Sequence, residues 1–169
     1  CIDSDSDGFS DPGIGWEVGH GADVFVADDT QWSDSDNDGY GDNPNGNSPD
    51  SCPTVIGTSN KGNKFGCIDS DKDGYDDSSD DFIDDINQWK DSDGDGFGEN
   101  PYGMIFDSCP TVFGLSSEDR FGCEDSDEDG YSDPDDSWVV VDGADNFVDD
   151  ITQWSDLDKD GYGDNQTGY

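Results

Sequence analysis

The chain has 169 residues, of which 45 are acidic and only 6 basic, so its formal net charge is −39. Apolar residues make up 28% of it, too few for a hydrophobic core alone to oppose chain entropy and charge repulsion. Nucleic acids and anionic membranes are excluded as partners, because binding phosphate needs a basic surface. The chain is therefore either disordered or held together by divalent cations and disulfides. Five Trp, six Tyr and nine Phe favour the second interpretation, since disordered acidic chains are poor in aromatic residues.

Three similar segments follow one another along the chain. They begin with CIDSDSDGFSD at Cys1, CIDSDKDGYDD at Cys67 and CEDSDEDGYSD at Cys123, and each continues into a second block with a Gln-Trp pair. We predict repeat units at residues 1–66, 67–122 and 123–169, the last of them partial. The first and third units carry insertions at residues 12–22 and 134–144, which have no counterpart of that length in the middle unit.

Each unit contains two acidic loops with the pattern D-x-D-x-D-G-[FY]-x-[DE]. They are numbered here as loops 1 to 6, beginning at Asp3, Asp34, Asp69, Asp91, Asp125 and Asp156. At this spacing, loop positions 1, 3 and 5 place three carboxylates around one cation, and Gly at position 6 permits a sharp turn. The carbonyl of position 7 and the side chain of position 9 add oxygen ligands, the latter directly or through water. Hard oxygen ligands in this number suit Ca²⁺ better than Mg²⁺, and zinc would need His or Cys.

The predicted calcium ligands follow from this pattern. The carboxylates at positions 1, 3 and 5 are Asp3, Asp5, Asp7, Asp34, Asp36, Asp38, Asp69, Asp71, Asp73, Asp91, Asp93, Asp95, Asp125, Asp127, Asp129, Asp156, Asp158 and Asp160. The position-7 carbonyls are those of Phe9, Tyr40, Tyr75, Phe97, Tyr131 and Tyr162. The position-9 side chains are Asp11, Asp42, Asp77, Glu99, Asp133 and Asp164. A later aspartate, called here the distal aspartate, takes the place of position 12 and is Asp23, Asp50, Asp80, Asp107 or Asp145.

Paired EF-hands do not fit these loops, because their flanks carry Cys, Gly, Pro and Asp instead of amphipathic helices. The recurring string D-x-D-x-D-G-x-x-D…D-S-C-P resembles the thrombospondin type 3 repeat family, along essentially the whole chain. That resemblance implies a chain wrapped around calcium ions with little regular secondary structure. The insertions, the D-x-F-x-x-D-x-x-Q-W block and the Cys spacing depart from the family.

The expected fold is mostly irregular coil with short β segments, in an elongated tandem repeat of calcium loops stabilised by Ca²⁺ and disulfides. Gly, Pro, Asn and Asp-Gly pairs interrupt the chain about every ten residues, which indicates turns. Short strands are predicted only at Trp138–Val141 and Ile105–Phe106. No apolar run approaches the roughly 18 residues that a membrane span requires.

The second block leaves two interpretations open. Asp28, Asp85 and Asp150 either complete a second ion near each Cys-led loop or are surface acids. The aromatic side chains that recur there form hydrophobic plugs between loops or, alternatively, a stacking site for sugars. They are Phe25, Phe82, Phe147, Trp32, Trp89 and Trp154.

The Cys spacing predicts disulfides Cys52–Cys67 and Cys109–Cys123, each closing a loop of about 15 residues. Cys1 is equivalent to Cys67 and Cys123, so its partner is expected upstream, with a lipidated N-terminal Cys as the alternative. Disulfides indicate an extracellular or cell-surface location. Asn165 begins a match to the glycosylation sequon.

No catalytic arrangement recurs, since His20 is the only histidine and Asp142 replaces it in the matching unit. We expect no enzyme activity. The predicted function is a section of a rigid stalk or fibre on a microbial surface, which binds at least six and about nine to twelve Ca²⁺ and associates with copies of itself. The alternative is a calcium-dependent adhesin module that binds a glycan or a protein through the insertions.

Overall fold

In a computed structural model, which describes residues 2–165, the chain is almost entirely irregular. The regular elements are two 3₁₀ helices, Val18–His20 and Val140–Asp142, and two β-strands, β1 (Asn60–Lys61) and β2 (Lys64–Phe65). No α-helix occurs between residues 2 and 165, and nothing in that range forms a helix of the length and apolarity needed to cross a membrane. The prediction of mostly coil with short β segments is confirmed.

Strands β1 and β2 form a small antiparallel hairpin inside the first disulfide loop. Asn60 pairs with Phe65 across the hairpin. The two-residue turn consists of Gly62 and Asn63, whose φ angles are 62° and 60°. Favoured hairpin turns need positive φ at both central residues, and Gly and Asn tolerate it best.

The prediction of a strand at Trp138–Val141 is wrong. The second 3₁₀ helix covers Val140–Asp142, and the N–H of Gly143 closes it by donating to the carbonyl of Val140 at 3.2 Å. The Asp-Gly turn therefore outweighs the β propensity of three successive valines, which depends on a neighbouring strand to pack against.

The prediction of a strand at Ile105–Phe106 is wrong as well. Phe106 forms only an isolated parallel bridge with Gly98. The same approach lets the N–H of Asp107 donate to the carbonyl of Gly98 at 2.8 Å. This segment therefore brings a distal aspartate beside its loop instead of building a sheet.

The chain divides into two compact units, Cys1–Ile86 and Asn87–Tyr169. Each contains one of the predicted disulfides, Cys52–Cys67 or Cys109–Cys123, with Cα atoms 5.1 Å apart in both. The two disulfides are confirmed, whereas the pairing expected for Cys1 lies outside the described residues. The three repeat units stay a prediction from the sequence.

Much of the buried interior is polar. Gln31, Gln88 and Gln153, one from each Gln-Trp pair, are exposed by only 1%, 2% and 3%. The side-chain carbonyl of Gln31 accepts the N–H of Asn43 at 2.9 Å, and its amide donates to the carbonyls of Asn43 and Asn47 at 3.1 Å. The other two glutamines accept the equivalent N–H at the same 2.9 Å. Each glutamine therefore joins its second block to the loop that follows through buried hydrogen bonds.

Aromatic pairs attach the loops to the second block. Phe9 stacks on Trp32 with ring centroids 5.0 Å apart, and Tyr131 stacks on Trp154 at 4.8 Å. In both pairs the first ring comes from loop position 7 and the second from a Gln-Trp pair. The contacts agree with the interpretation of these residues as small hydrophobic plugs.

We expect Gln31→Ala to lower the free energy of unfolding of the calcium-loaded chain by about 3 kcal/mol, because each buried group left without its hydrogen bond costs about 1–3 kcal/mol. Urea unfolding followed by tryptophan fluorescence measures the change. Asn45→Ala is the matched control, since this side chain is exposed. A loss no larger than that of the control would contradict the role given to Gln31.

Candidate metal centres

The first aspartate of each loop organises the turn. In loop 3, Asp69 accepts the N–H of Lys72 at 2.7 Å and the N–H of Gly74 at 3.1 Å. In all six loops the position-6 glycine donates to the position-1 carboxylate. These glycines have φ between 85° and 105°, a left-handed region that glycine enters at little cost.

Position 4 is left-handed as well, a feature that the sequence analysis missed. Its φ lies between 61° and 69° in the five loops where it is not glycine, namely at Ser6, Asn37, Lys72, Glu128 and Lys159. Ordinary residues keep such a conformation only where the surrounding structure imposes it. The loop backbone is therefore shaped around its carboxylates and not by local residue preference.

Positions 3 and 5 direct carboxylate oxygens toward position 1. In loop 3, Oδ1 of Asp71 accepts the N–H of Asp73 at 3.0 Å, and Oδ1 of Asp73 accepts the N–H of Tyr75 at 2.7 Å. In loops 1 to 5, carboxylate oxygens from positions 1, 3 and 5 lie within 4.8 Å of one another. Each cluster is thus a close group of acceptors that repel one another unless a cation lies between them.

The distal aspartates join these clusters from later in the chain. In four of the five, all except Asp80, the backbone N–H donates to the carbonyl of loop position 8, as Asp145 does to Ser132 at 2.9 Å. In all five, Oδ1 accepts the N–H of the residue two positions later at 2.7 or 2.8 Å. All are at most 8% exposed. The same local turn therefore orients all five distal carboxylates, and a backbone bond ties four of them to their loops.

Twelve buried carboxylate oxygens in the described part of the chain have no hydrogen-bond donor. They are Oδ2 of Asp5, Asp7, Asp23, Asp36, Asp50, Asp71, Asp73, Asp93, Asp107, Asp127, Asp129 and Asp145. Every one belongs to loop position 3, to position 5 or to a distal aspartate. A buried charge without a partner is strongly unfavourable, so these oxygens mark the clusters as sites that could hold a cation.

The electrostatics of the clusters agree with this interpretation. Burial raises the pKa of Asp107, Asp129 and Asp145 from 3.8 to about 6, and repulsion from loop carboxylates adds to it, although backbone N–H donors oppose the shift. A bound cation would oppose these shifts, because it favours the ionised form of each carboxylate.

Position 9 has a clamping role that the sequence analysis missed. In loop 3, Asp77 accepts the N–H and the hydroxyl of Ser70 at 2.8 and 2.7 Å. The same pair of bonds joins positions 9 and 2 in loops 1, 2 and 5, and in loop 4 Glu99 accepts from Lys90 at 3.0 Å. The Ser at position 2 of the Asp-Ser-Asp sequence could have indicated this bond, because its hydroxyl is the donor. The role of position 9 as a ligand stays a prediction, as does that of the position-7 carbonyls.

The second-block acids are engaged in local turns. Asp28 accepts the N–H and hydroxyl of Thr30 at 3.0 and 2.6 Å and the side-chain amide of Asn47 at 3.0 Å. The hydroxyl bond from Thr30 is the main cause that lowers the pKa of Asp28. Asp150 makes the same two bonds with Thr152, and Asp85 is exposed. These contacts fit acids that cap turns, and the second ion remains a prediction.

The second insertion packs on the disulfide loop that precedes it, within the compact unit Asn87–Tyr169. The indole N–H of Trp138 donates to Asp119 at 3.2 Å, and the guanidinium of Arg120 lies 5.3 Å from the Trp138 ring. Ala144 at the end of the insertion is buried. The second insertion therefore folds back onto this disulfide loop.

We expect Asp71→Ala to abolish calcium binding at loop 3 while leaving residues 87–165 intact, because repeat units contact mainly their neighbours. Oδ2 of Asp71 is one of the unpartnered oxygens, so the substitution removes a candidate ligand, together with the bond that Oδ1 accepts from the N–H of Asp73. Hydrogen exchange with calcium present measures the extent of the change. Asp84→Ala, at an exposed acid, is the control. Loss of protection across both compact units would contradict a local defect.

No protein-family profile matches the chain, and no curated protein is significantly similar to it in sequence. The resemblance to thrombospondin type 3 repeats therefore rests on the motifs alone, and the case for a metal centre rests on the loop geometry.

Proposed function

We propose that the chain is a calcium-binding structural repeat, part of a rigid extracellular stalk or fibre on a microbial surface. The observation that carries this proposal is the set of twelve buried, unpartnered carboxylate oxygens at equivalent positions of five loops. Ca²⁺ takes six to eight oxygen ligands, including several carboxylates, in flexible geometry. The two disulfides are compatible with the oxidising environment in which such proteins work.

Repetition supports a structural role over an enzymatic one. The same donor set recurs in successive loops, as expected of a spacer made from equal parts. Carboxylates that bind calcium are not available as general acids or bases. We therefore propose that the chain has no catalytic activity and that its partners are calcium and further copies of itself.

Native mass spectrometry of the chain with millimolar calcium tests the proposal. We expect at least six bound ions and about nine to twelve at saturation, since six divalent ions neutralise only about 12 of the 39 net negative charges. Excess EDTA should return the metal-free mass. Calcium uptake no greater than that of the same chain reduced and denatured would overturn it.

A calcium-dependent adhesin is the second candidate, favoured by a recurring cleft. A cleft of about 240 Å³ lies beside Trp32, and an equivalent one of about 290 Å³ lies beside Trp154. Val18 and Val140 of the two 3₁₀ helices line them. Calcium-dependent binding on a glycan array that disappears in Trp32→Ala or Trp154→Ala would favour the adhesin over the stalk.

A further inference from the structure

The candidate sites of loops 1 to 5 fall into two kinds that differ at position 5. In loops 1, 3 and 5, the position-5 carboxylate keeps a buried oxygen without a donor. In loops 2 and 4, that oxygen is occupied. The N–H of Gly57 donates to Oδ2 of Asp38 at 3.0 Å, and the N–H of Gly114 donates to Oδ2 of Asp95 at 3.2 Å.

Both glycines lie in the disulfide loops. The first disulfide loop begins beside the distal aspartate, where the N–H of Cys52 donates to Oδ1 of Asp50 at 2.7 Å. It then reaches back to Asp38 through Gly57. One disulfide-closed segment therefore holds two candidate ligands of the same site, and the second disulfide loop repeats both contacts at loop 4.

Close packing fixes the two glycine amides. A Cβ on Gly57 would lie 2.1 Å from the carbonyl of Cys67, and a Cβ on Gly114 would lie 1.9 Å from that of Cys123. A Cβ on Gly66 would lie 2.5 Å from Oδ1 of Asp50. The disulfide-bonded residues thus set where the amides lie, and no larger residue fits without moving them.

We propose that Gly57 and Gly114 are positioning residues for calcium, and that closure of the Cys52–Cys67 and Cys109–Cys123 bridges sets the calcium affinity of loops 2 and 4. This inference rests on the proposed calcium binding. Each carboxylate oxygen has two lone pairs, so Oδ2 can accept the amide and still bind a cation. Donors that orient a metal ligand from outside typically contribute about 10–100-fold to metal affinity.

The amides of the six position-6 glycines can report calcium binding at individual loops. Each position-6 glycine donates to the position-1 carboxylate, so its amide resonance should shift when calcium fills that loop. The reporters for loops 2 and 4 are Gly39 and Gly96. Calcium titration of the full chain labelled with ¹⁵N-glycine therefore gives a separate midpoint for each loop.

We expect Gly57→Ala to raise the calcium midpoint at Gly39 by about 10-fold or more and to leave Gly96 unchanged. Gly114→Ala should do the reverse. Gly19→Ala is the control, because a Cβ there meets nothing within 4 Å. The double variant Cys52→Ser, Cys67→Ser opens the bridge without adding a Cβ at Gly57 and should weaken loop 2 while leaving Gly8 of loop 1 unchanged.

The outcomes separate this inference from the proposed function. If no glycine amide of the unaltered chain responds to calcium, calcium binding itself is refuted. If all reporters respond but Gly39 and Gly96 keep their midpoints in the variants, only the positioning role is refuted. It is also refuted if every reporter shifts to the same extent in every variant, because that result describes general loss of folding.

Discussion

Removing calcium with EDTA at pH 7.5 should abolish most of the near-UV circular dichroism of the tryptophan and tyrosine side chains. The stacked pairs Phe9–Trp32 and Tyr131–Trp154 owe their fixed arrangement to aromatic residues at loop position 7. Without a cation, carboxylates within 4.8 Å of one another repel. The chain has too few apolar residues to resist this repulsion, so the loops should open and the rings should lose their asymmetric surroundings.

Adding calcium back should restore the spectrum. The two disulfides stay closed in EDTA and keep both disulfide loops in place, so the unfolding should be reversible. Magnesium at the same concentration is the control, since it prefers fewer protein ligands in a strict octahedron and should restore less of the signal. A near-UV spectrum that EDTA leaves unchanged would mean that the fold does not depend on metal.

Acidification should stabilise the metal-free chain, and this is the second large effect that we expect. The folded-state pKa of Asp107, Asp129 and Asp145 is about 6, raised from 3.8 mainly by burial. Between pH 3.8 and about pH 6 the folded chain binds more protons than the unfolded chain. The free energy of unfolding of the metal-free chain therefore rises as the pH falls through this range. Part of the near-UV signal that is absent at pH 7.5 in EDTA should therefore return at pH 5.

The calcium-loaded chain should show the opposite slope, because protons compete with Ca²⁺ for the same carboxylates and weaken its binding below about pH 6. Groups with a lowered pKa, such as Asp76 at about 2, lose their contribution only at lower pH. Thermal unfolding at pH 5 and 7.5, with calcium and with EDTA, measures both slopes. Asp107→Asn removes one titrating group and should flatten each of them. Parallel slopes in the two conditions would contradict the assignment of these acids to metal centres.

The loops and disulfides were predictable because their signals are local and repeated. The spacing of Asp69, Asp71 and Asp73 already places three carboxylates on one turn, and the structure brings their oxygens together. The equivalent positions of Cys52 and Cys109 before a Pro-Thr-Val segment likewise predicted both bridges.

The rest was not predictable, for physical reasons that differ between residues. Gln31 is buried although glutamine is usually exposed, and only its three backbone contacts explain why. The valines before Asp142 favour a strand by composition, but no strand lies beside them between residues 2 and 165, so the turn prevails. The bond from Gly57 to Asp38 joins residues 19 apart. Its donor is a backbone amide, which every residue except proline has, so the sequence pattern cannot predict it.

Each candidate metal centre is built from a short stretch of chain, which affects the route by which the chain folds. Position 1 and the distal aspartate are never more than about 20 residues apart, and contacts of such short range form quickly. In loop 3 they are closest, at Asp69 and Asp80. Each centre can therefore close as soon as its own short stretch of chain is available. Folding can start at any loop and spread to the neighbouring loops, without waiting for distant parts of the chain.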